Sequence, residues 1–130
     1  MLTITPYAAP GTWDASFFAQ AIKVTGAQSI LFISGQVAWD DQGNPAHAGD
    51  FKAQCHAAFR ALKAQVEAGG GTMANLVKIN IYETDARNLA EFRKIREKYL
   101  GKKMPAATSA VVQGLHHPDC LFEIEGIAVV

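Results

Sequence analysis

The sequence predicts an α+β fold in which a mixed β-sheet carries two helices on one face. Two segments place apolar residues at helical spacing, and shorter apolar runs of strand length lie before, between and after them. Glycine or proline follows both helical segments. Helices that come singly between strands are typical of an α+β sheet covered on one side. A chain of 130 residues fits one domain, so we assign residues 1–130 to a single domain.

The N-terminal part is predicted to contain three strands. A short first strand covers residues 1–5 and ends at Pro6, residues 17–24 lead into a second strand, and a third spans residues 29–37. Gly35 lies inside the third strand, where a side chain would normally pack. A glycine inside a strand often marks a bulge or the close approach of a ligand.

The first helix is predicted to begin after Asp50, a suitable N-cap residue. Its apolar face consists of Phe51, Cys55, Ala58, Phe59, Leu62 and Val66. Three glycines at 69–71 follow this helix instead of preceding one. Because the carbonyls at a helix C-terminus repel phosphate, we interpret the glycines as a C-cap and not as a phosphate loop.

The next strand and helix are predicted from the same two periodicities. Residues 76–82 alternate, with Val77, Ile79 and Ile81 on one face and Lys78, Asn80 and Tyr82 on the other. Asp85 is predicted to cap a second helix. Its buried side carries Leu89, Phe92, Ile95 and Tyr99. Gly101 ends this helix, and Pro105 prevents it from restarting.

The last quarter of the chain is predicted to form two strands, at residues 107–112 and 120–130, separated by a turn. One face of the second strand is uniformly apolar or small, and it fits under the helices: Cys120, Phe122, Ile124, Gly126 and Ala128. The opposite face carries Glu123 and Glu125 among aliphatic residues. Such a mixed face suits a subunit interface or a cleft. By residue type alone, the simplest interpretation is two acids on a solvent-exposed or interfacial sheet face.

This C-terminal stretch resembles the signature of the RidA/YjgF family, which includes reactive-imine deaminases and proteins with the older name L-PSP endoribonuclease. The resemblance rests on Pro105-Ala106, a following strand, and Glu-Ile-Glu-Gly-Ile-Ala-Val at 123–129. It extends through Ile-Ser-Gly-Gln at 33–36 and Val-Glu-Ala-Gly-Gly at 66–70, over nearly the whole chain. It implies a chorismate-mutase-like fold, a homotrimer assembled through its sheets, and a small-molecule ligand.

The resemblance also implies site residues. Glu123 matches the carboxylate that holds the attacking water in the deaminases, and we expect it to be catalytic. Ser34 and Gly35 match the backbone that lines the ligand cleft. Phe18 falls where the family often has tyrosine, although the sequence alone favours ordinary core packing for it. We expect Phe18, Ser34 and Gly35 to contribute to substrate binding.

One departure from the family pattern concerns the ligand. Family deaminases have Pro-Ala-Arg-Ser/Thr, whereas this chain has Ala107 and Thr108 after Pro105-Ala106. The arginine that binds the carboxylate of a 2-imino acid is therefore absent, although positions 107 and 108 are still expected to line the substrate site. The ligand then either lacks that carboxylate or meets another cation, of which the sequence offers Arg93, Arg96, Lys102 and Lys103.

Metal and thiol chemistry are not predicted. The segment His116-His117-Pro118-Asp119-Cys120 contains metal-ligand residue types, but adjacent residues rarely converge on one ion, so we interpret it as a solvent loop. Cys120 would need a positioned base to act as a nucleophile, and its face of the strand is predicted to be buried. Cys55 lies on the apolar helix face. We predict no metal and no cofactor.

Composition limits the remaining function classes. Twelve basic and twelve acidic residues give zero net charge, whereas nucleic-acid binders usually have a basic excess. No run has the length of a membrane span, the N-terminus lacks signal-peptide features, and two cysteines make no disulfide framework, so a cytoplasmic location is expected. Three hypotheses remain: hydrolysis of a small imine or enamine, non-catalytic binding or regulation by a small molecule, and, least favoured, a ribonuclease or translation inhibitor.

Overall fold

The computed structural model describes residues 1–102 and 104–130. Lys103, one of the cations considered for the ligand, lies outside the described residues. The strands are β1 (Thr3–Tyr7), β2 (Ala21–Thr25), β3 (Ile30–Gln36), β4 (Leu76–Glu83), β5 (Ala106–Val111) and β6 (Phe122–Val129). The helices are α1 (Phe51–Ala68) and α2 (Leu89–Leu100), and short 3-10 turns cover Met73–Asn75 and Ala86–Asn88.

The main sheet has four strands in the order β3-β6-β4-β5. The pairs β3/β6 and β4/β6 are antiparallel, whereas β4/β5 is parallel, so the sheet is mixed as the sequence predicts. A parallel pair needs a crossover connection, and α2 supplies it between β4 and β5. The first two strands form a separate antiparallel ribbon.

Both helices pack on one face of the sheet, which confirms the predicted α+β arrangement. Phe59 of α1 is at the centre of the core, where its ring stacks on Tyr99 of α2 with 4.9 Å between ring centres. The same ring lies 5.9 Å from that of Phe122 on β6. The Asp50 side chain accepts a hydrogen bond from the backbone N–H of Ala53 at 3.0 Å, so the predicted helix cap is confirmed.

The predicted ends of two elements are wrong, each for a local reason, whereas residues 17–24 lead into β2 as predicted. The first strand continues through Pro6, because an edge strand tolerates a residue without an N–H donor. Phe18 precedes β2 and lies in a loop with Phe17, where the two rings pack edge to face at 5.0 Å. Asp85 caps the 3-10 turn before α2, accepting from the N–H of Arg87 at 2.9 Å, and is not the cap of α2 itself.

The alternation predicted for β4 is interrupted at its start. The register between β4 and β6 shifts between Leu76 and Lys78, which leaves Leu76 buried and Val77 only half-buried. From Ile79 onward the alternation is regular, and the buried positions are Ile79, Ile81 and Glu83. Glu83 is therefore a carboxylate on the helix-covered face of the sheet.

The other face of the sheet is open in a single chain. Phe32 on β3 is 78% exposed and Ile30 is 56% exposed, although both belong to the main sheet. In β6, Glu123, Glu125 and Ile127 are half-buried on this face, whereas Phe122, Ile124 and Gly126 are buried under the helices. No helix in the described part of the chain is long and apolar enough to cross a membrane.

Candidate functional site

The Glu123 side chain lies directly over the backbone of Gly35. The strands β3 and β6 pair regularly from Ile30/Val129 to Ile33/Gly126, and then the register shifts before Gln36/Ile124. The resulting bulge includes Gly35. A Cβ atom added at Gly35 would overlap the Glu123 carboxylate. The glycine that the sequence places inside a strand therefore makes room for a carboxylate from the neighbouring strand.

Replacing Gly35 with alanine is expected to displace the Glu123 carboxylate towards solvent, since the added methyl group occupies its position. Burial is the largest cause of the raised pKa of Glu123, so its pKa should fall towards the ordinary glutamate range. Carbon-13 NMR titration of the glutamate carboxyl groups measures this directly. Gly114→Ala is the matched control, because nothing lies within 4 Å of a Cβ added there. An unchanged pKa for Glu123 in Gly35→Ala would contradict this packing.

The two glutamates of β6 have different surroundings. Glu125 accepts a hydrogen bond from the side-chain amide of Asn80 at 3.4 Å, and it also interacts with the Tyr82 hydroxyl, which raises the pKa of Tyr82. Glu123 has no hydrogen bond or ion pair with any side chain in the described part of the protein. Glu125 is thus held by protein groups, and Glu123 remains available to a ligand or a water molecule.

The environment of Glu123 favours its protonated form more than water does. Burial raises the pKa of the Glu123 carboxyl, the negative charge of Glu125 raises it further, and His116 partly opposes both effects. A carboxyl group with a raised pKa is a stronger base once ionised and accepts a proton more readily near neutral pH. Glu123 is therefore half-buried, and its carboxyl group binds a proton more readily than that of a glutamate in water.

Thr108 shares the open sheet face with Glu123 but does not touch it. The Thr108 hydroxyl accepts a hydrogen bond from the Lys78 ammonium at 2.9 Å, and Asn80 is the register neighbour of Thr108 on β4. Asn80 is also opposite Glu125, so Lys78, Asn80 and Tyr82 form a polar row between β5 and β6. The sequence places these three residues on one face, but nothing in it connects them with the glutamates.

Ala107 points to the helix side of the sheet. It is opposite Ile79 in the parallel register, and it borders a cavity of about 330 Å³ together with Phe18. The Phe18 ring packs edge to face on Trp13 at 5.5 Å, and Trp13 also borders the cavity. Trp13 was not expected at a site, because it lies in a loop without any periodic pattern. The structure therefore brings Phe18 and Ala107 together.

The expected site residues consequently form two groups on opposite faces of the sheet. Glu123 and Gly35 are together on the open side with exposed Ser34, whereas Ala107 and Phe18 are on the helix side. Strand β4 separates β5 from β6, and two strand spacings amount to about 9–10 Å. Ala107 is also level with Gly126, three residues along β6 from Glu123. Within one chain, these two groups cannot contact the same small ligand.

The surroundings of the two thiols and of the histidine loop do not indicate thiol or metal chemistry. Cys55 and Cys120 are both buried and unpaired, and burial raises the pKa of each thiol, so neither is activated as a nucleophile. His117 Nδ1 accepts from the backbone N–H of Asp119 at 3.1 Å, and the contact of His117 with Cys120 is made by its backbone carbonyl, which accepts from the Cys120 N–H at 3.0 Å. Within residues 1–102 and 104–130, no group of three or more His, Cys, Asp or Glu side chains is placed to hold a metal ion.

Comparisons with known proteins agree on the family. The family model for endoribonuclease L-PSP matches residues 13–130. A RutC family protein of Pyrococcus horikoshii is 33% identical over 111 residues, which cover 85% of each chain. Among solved structures, the Rid family protein YyfB of Yersinia pestis superposes with a TM-score of 0.84 at 27% identity, covering 98% of both chains. RidA of an Antarctic Psychrobacter has a TM-score of 0.72 at 32% identity, covering 96% of this chain and 94% of its own. The chain belongs to the endoribonuclease L-PSP family, to which the RidA/YjgF resemblance of its sequence points.

Proposed function

We propose that this RidA-like protein hydrolyses the C=N bond of a small reactive imine, or of the enamine in equilibrium with it. The observation that supports this activity best is the Glu123 carboxylate, which is half-buried over Gly35, has a raised pKa and has no hydrogen-bond or ion-pair partner among the described side chains. A carboxylate in that situation can hold a water molecule and remove its proton.

The proposed site is a cleft between two subunits of a homotrimer. Glu123 with Gly35 and Ala107 with Phe18 lie on opposite faces of the sheet, so a complete site needs one group from each of two chains. The open sheet face supports assembly, because Phe32 and Ile30 leave an apolar surface uncovered in the single chain. Size-exclusion chromatography with light scattering tests the assembly, and a monomer at micromolar concentration would contradict it.

The proposed reaction uses water as the nucleophile. Glu123 accepts a proton from the water molecule while the water oxygen attacks the imine carbon. The π electrons of the C=N bond move to nitrogen, which takes up a proton. The tetrahedral carbinolamine then collapses: the hydroxyl oxygen loses its proton, the amino nitrogen gains one, the C–N bond breaks and ammonia leaves. The sum of the steps is imine plus water to carbonyl compound plus ammonia. This chemistry requires no redox partner.

The substrate is not held as in the family deaminases. Ala107 has no group that can bind a carboxylate, so the paired charge-assisted bonds of an arginine are absent at this position. Each such bond contributes about 1.5–3 kcal/mol. We therefore propose an uncharged imine, or an imino acid whose carboxylate meets a different cation.

The experiment measures ammonia release from 2-iminopropionate, from 2-iminobutanoate and from an uncharged imine, each made in situ. We expect saturable turnover of at least one of these substrates by the natural protein. Ala107→Arg should raise kcat/KM for the two imino acids and leave the uncharged imine unaffected, because the added guanidinium acts only on a carboxylate. Absence of turnover by both proteins with all three substrates would contradict the hydrolase proposal.

The second candidate is a non-catalytic small-molecule binder, and the absence of the arginine at Ala107 is the observation that favours it. Ligand-dependent thermal stabilisation without turnover would support this candidate.

RNA cleavage, the activity in the family's name, is disfavoured because twelve acidic residues balance twelve basic ones. Both cysteines are free thiols, and we propose the reducing cytoplasm as the compartment.

A further inference from the structure

The cavity beside Ala107 is bordered by two arginines of α2. Arg93 and Arg96 line the same space of about 330 Å³ as Ala107, Phe18 and Trp13. Residues three apart on a helix lie on the same side, so both guanidinium groups approach the cavity from one direction. This is the half of the proposed cleft in which β5 supplies no charge.

Arg93 contacts an aromatic ring that also borders the cavity. Its guanidinium carbon lies 4.8 Å from the centre of the Phe17 ring, within the range of a cation–π interaction. Phe17 in turn packs edge to face on Trp13 at 5.9 Å. The arginine is exposed, and its guanidinium contacts the same aromatic cluster that borders the cavity.

Arg96 is a buried cation without a counter-charge. The residue is 4% exposed, and its guanidinium donates to the carbonyl oxygens of Met104 at 3.1 Å and Gly101 at 3.5 Å. In the chain as described, without residue 103, neither Arg93 nor Arg96 forms an ion pair. Glu97, which borders a neighbouring space with both arginines, lies 4.0 Å from Lys102. A buried, unpaired charge is costly, and an anion in the cavity would compensate for it.

We propose that Arg93 and Arg96 form an anion site that binds the carboxylate of a small, planar ligand beside Ala107. The positive charge then comes from the helix and not from β5. Trp13, Phe17 and Phe18 form edge-to-face pairs around the cavity and suit a flat, apolar ligand body. This inference rests on the proposed function in treating the cavity as one half of the cleft, but binding of the anion requires no turnover.

The test is isothermal titration calorimetry of benzoate, a planar carboxylate, and of benzamide, its uncharged analogue. The natural protein should bind benzoate saturably and benzamide at least about tenfold more weakly, because the arginines act on charge. Arg93→Gln should weaken benzoate binding by about ten- to hundredfold, the range expected for one charge-assisted hydrogen bond. Lys94→Gln removes the same charge from an exposed position of α2 and should leave the affinity unchanged.

A second measurement avoids substitution of Arg96, because its guanidinium also donates to the backbone carbonyls of Gly101 and Met104 before β5. Benzoate should shift the NMR signals of the Arg93 and Arg96 side-chain Nε–H groups and leave that of Arg60 in place. Absence of saturable binding at millimolar benzoate, or equal affinity in Arg93→Gln, would overturn the anion site.

The outcomes separate the anion site from the hydrolase proposal. Benzoate binding that depends on Arg93, without turnover of any imine, keeps the anion site and rejects hydrolysis. Turnover that depends on Glu123, with the same benzoate affinity and the same KM for imino acids in Arg93→Gln, keeps hydrolysis and rejects the anion site.

Discussion

Replacing Glu123 with glutamine is expected to lower kcat for imine hydrolysis by about 100-fold or more, since a positioned general base contributes about 10²–10⁴-fold. Glutamine keeps the size and the hydrogen-bonding oxygen but cannot accept the proton of the attacking water. The side chain has no protein partner in the described structure, so the free energy of unfolding should change little. The measurement is ammonia release at saturating substrate, with urea unfolding of the same preparations.

Glu125→Gln is the matched control, because it removes a carboxylate two residues away on the same face of β6. Most of the activity should remain. Glu125 contributes to the raised pKa of Glu123, so its removal should lower that pKa and move the acid limb of the pH–rate profile to lower pH. Retention of more than about a tenth of kcat in Glu123→Gln would place the general base elsewhere.

The sequence predicts the fold well because the periodicity of the long elements agrees with their burial, except at the start of β4. The apolar face of β6 includes Phe122, Ile124 and Gly126, and these positions are buried under the helices. The mixed face with Glu123 and Glu125 is the open one. Tertiary contacts are beyond such patterns, as at Phe18, whose aromatic cluster with Trp13 and Phe17 is not visible in any local pattern.

The site was predictable only in part. The glycine in β3 indicates a close approach, and the structure identifies the approaching group as Glu123. The position of Arg93 over Phe17 could not be predicted, because it is a tertiary contact between α2 and the loop before β2. The separation of Ala107 from Glu123 across β4 also depends on strand order, which spacing along the chain does not determine.

The stability of the protein is expected to fall as pH rises from about 4.5 to about 7, and Glu83 is the reason. Its side chain is 1% exposed on the helix face of the sheet, and neither carboxylate oxygen has a hydrogen-bond partner in the described structure. Burial and the charge of Asp85 raise the pKa of Glu83 to about 7. The folded protein therefore keeps a proton that the unfolded chain loses near its ordinary pKa of about 4.5.

The sign follows from proton linkage. Between the two pKa values the folded state binds more protons than the unfolded state, so the free energy of unfolding falls with rising pH and levels off above about 7. The difference between the pKa of about 7 in the folded protein and about 4.5 in the unfolded chain corresponds to about 3 kcal/mol. Glutamine at position 83 cannot ionise, so the free energy of unfolding of Glu83→Gln should not fall in this way. Relative to the natural protein, it should rise by up to about 3 kcal/mol across that pH range.

Urea unfolding of both proteins at several pH values between 4.5 and 8 measures the difference, in which the titration of all other groups cancels. Glu83→Met is a second variant, since an unbranched apolar side chain fills the same space without new hydrogen-bond donors. Glu67→Gln, at an exposed position of α1, is the control and should follow the pH dependence of the natural protein. A pH-independent difference between Glu83→Gln and the natural protein would mean that Glu83 titrates alike in both states. The ionised carboxylate would then be solvated or paired in the folded protein, and the helix face of β4 would not be the dry environment that its burial indicates.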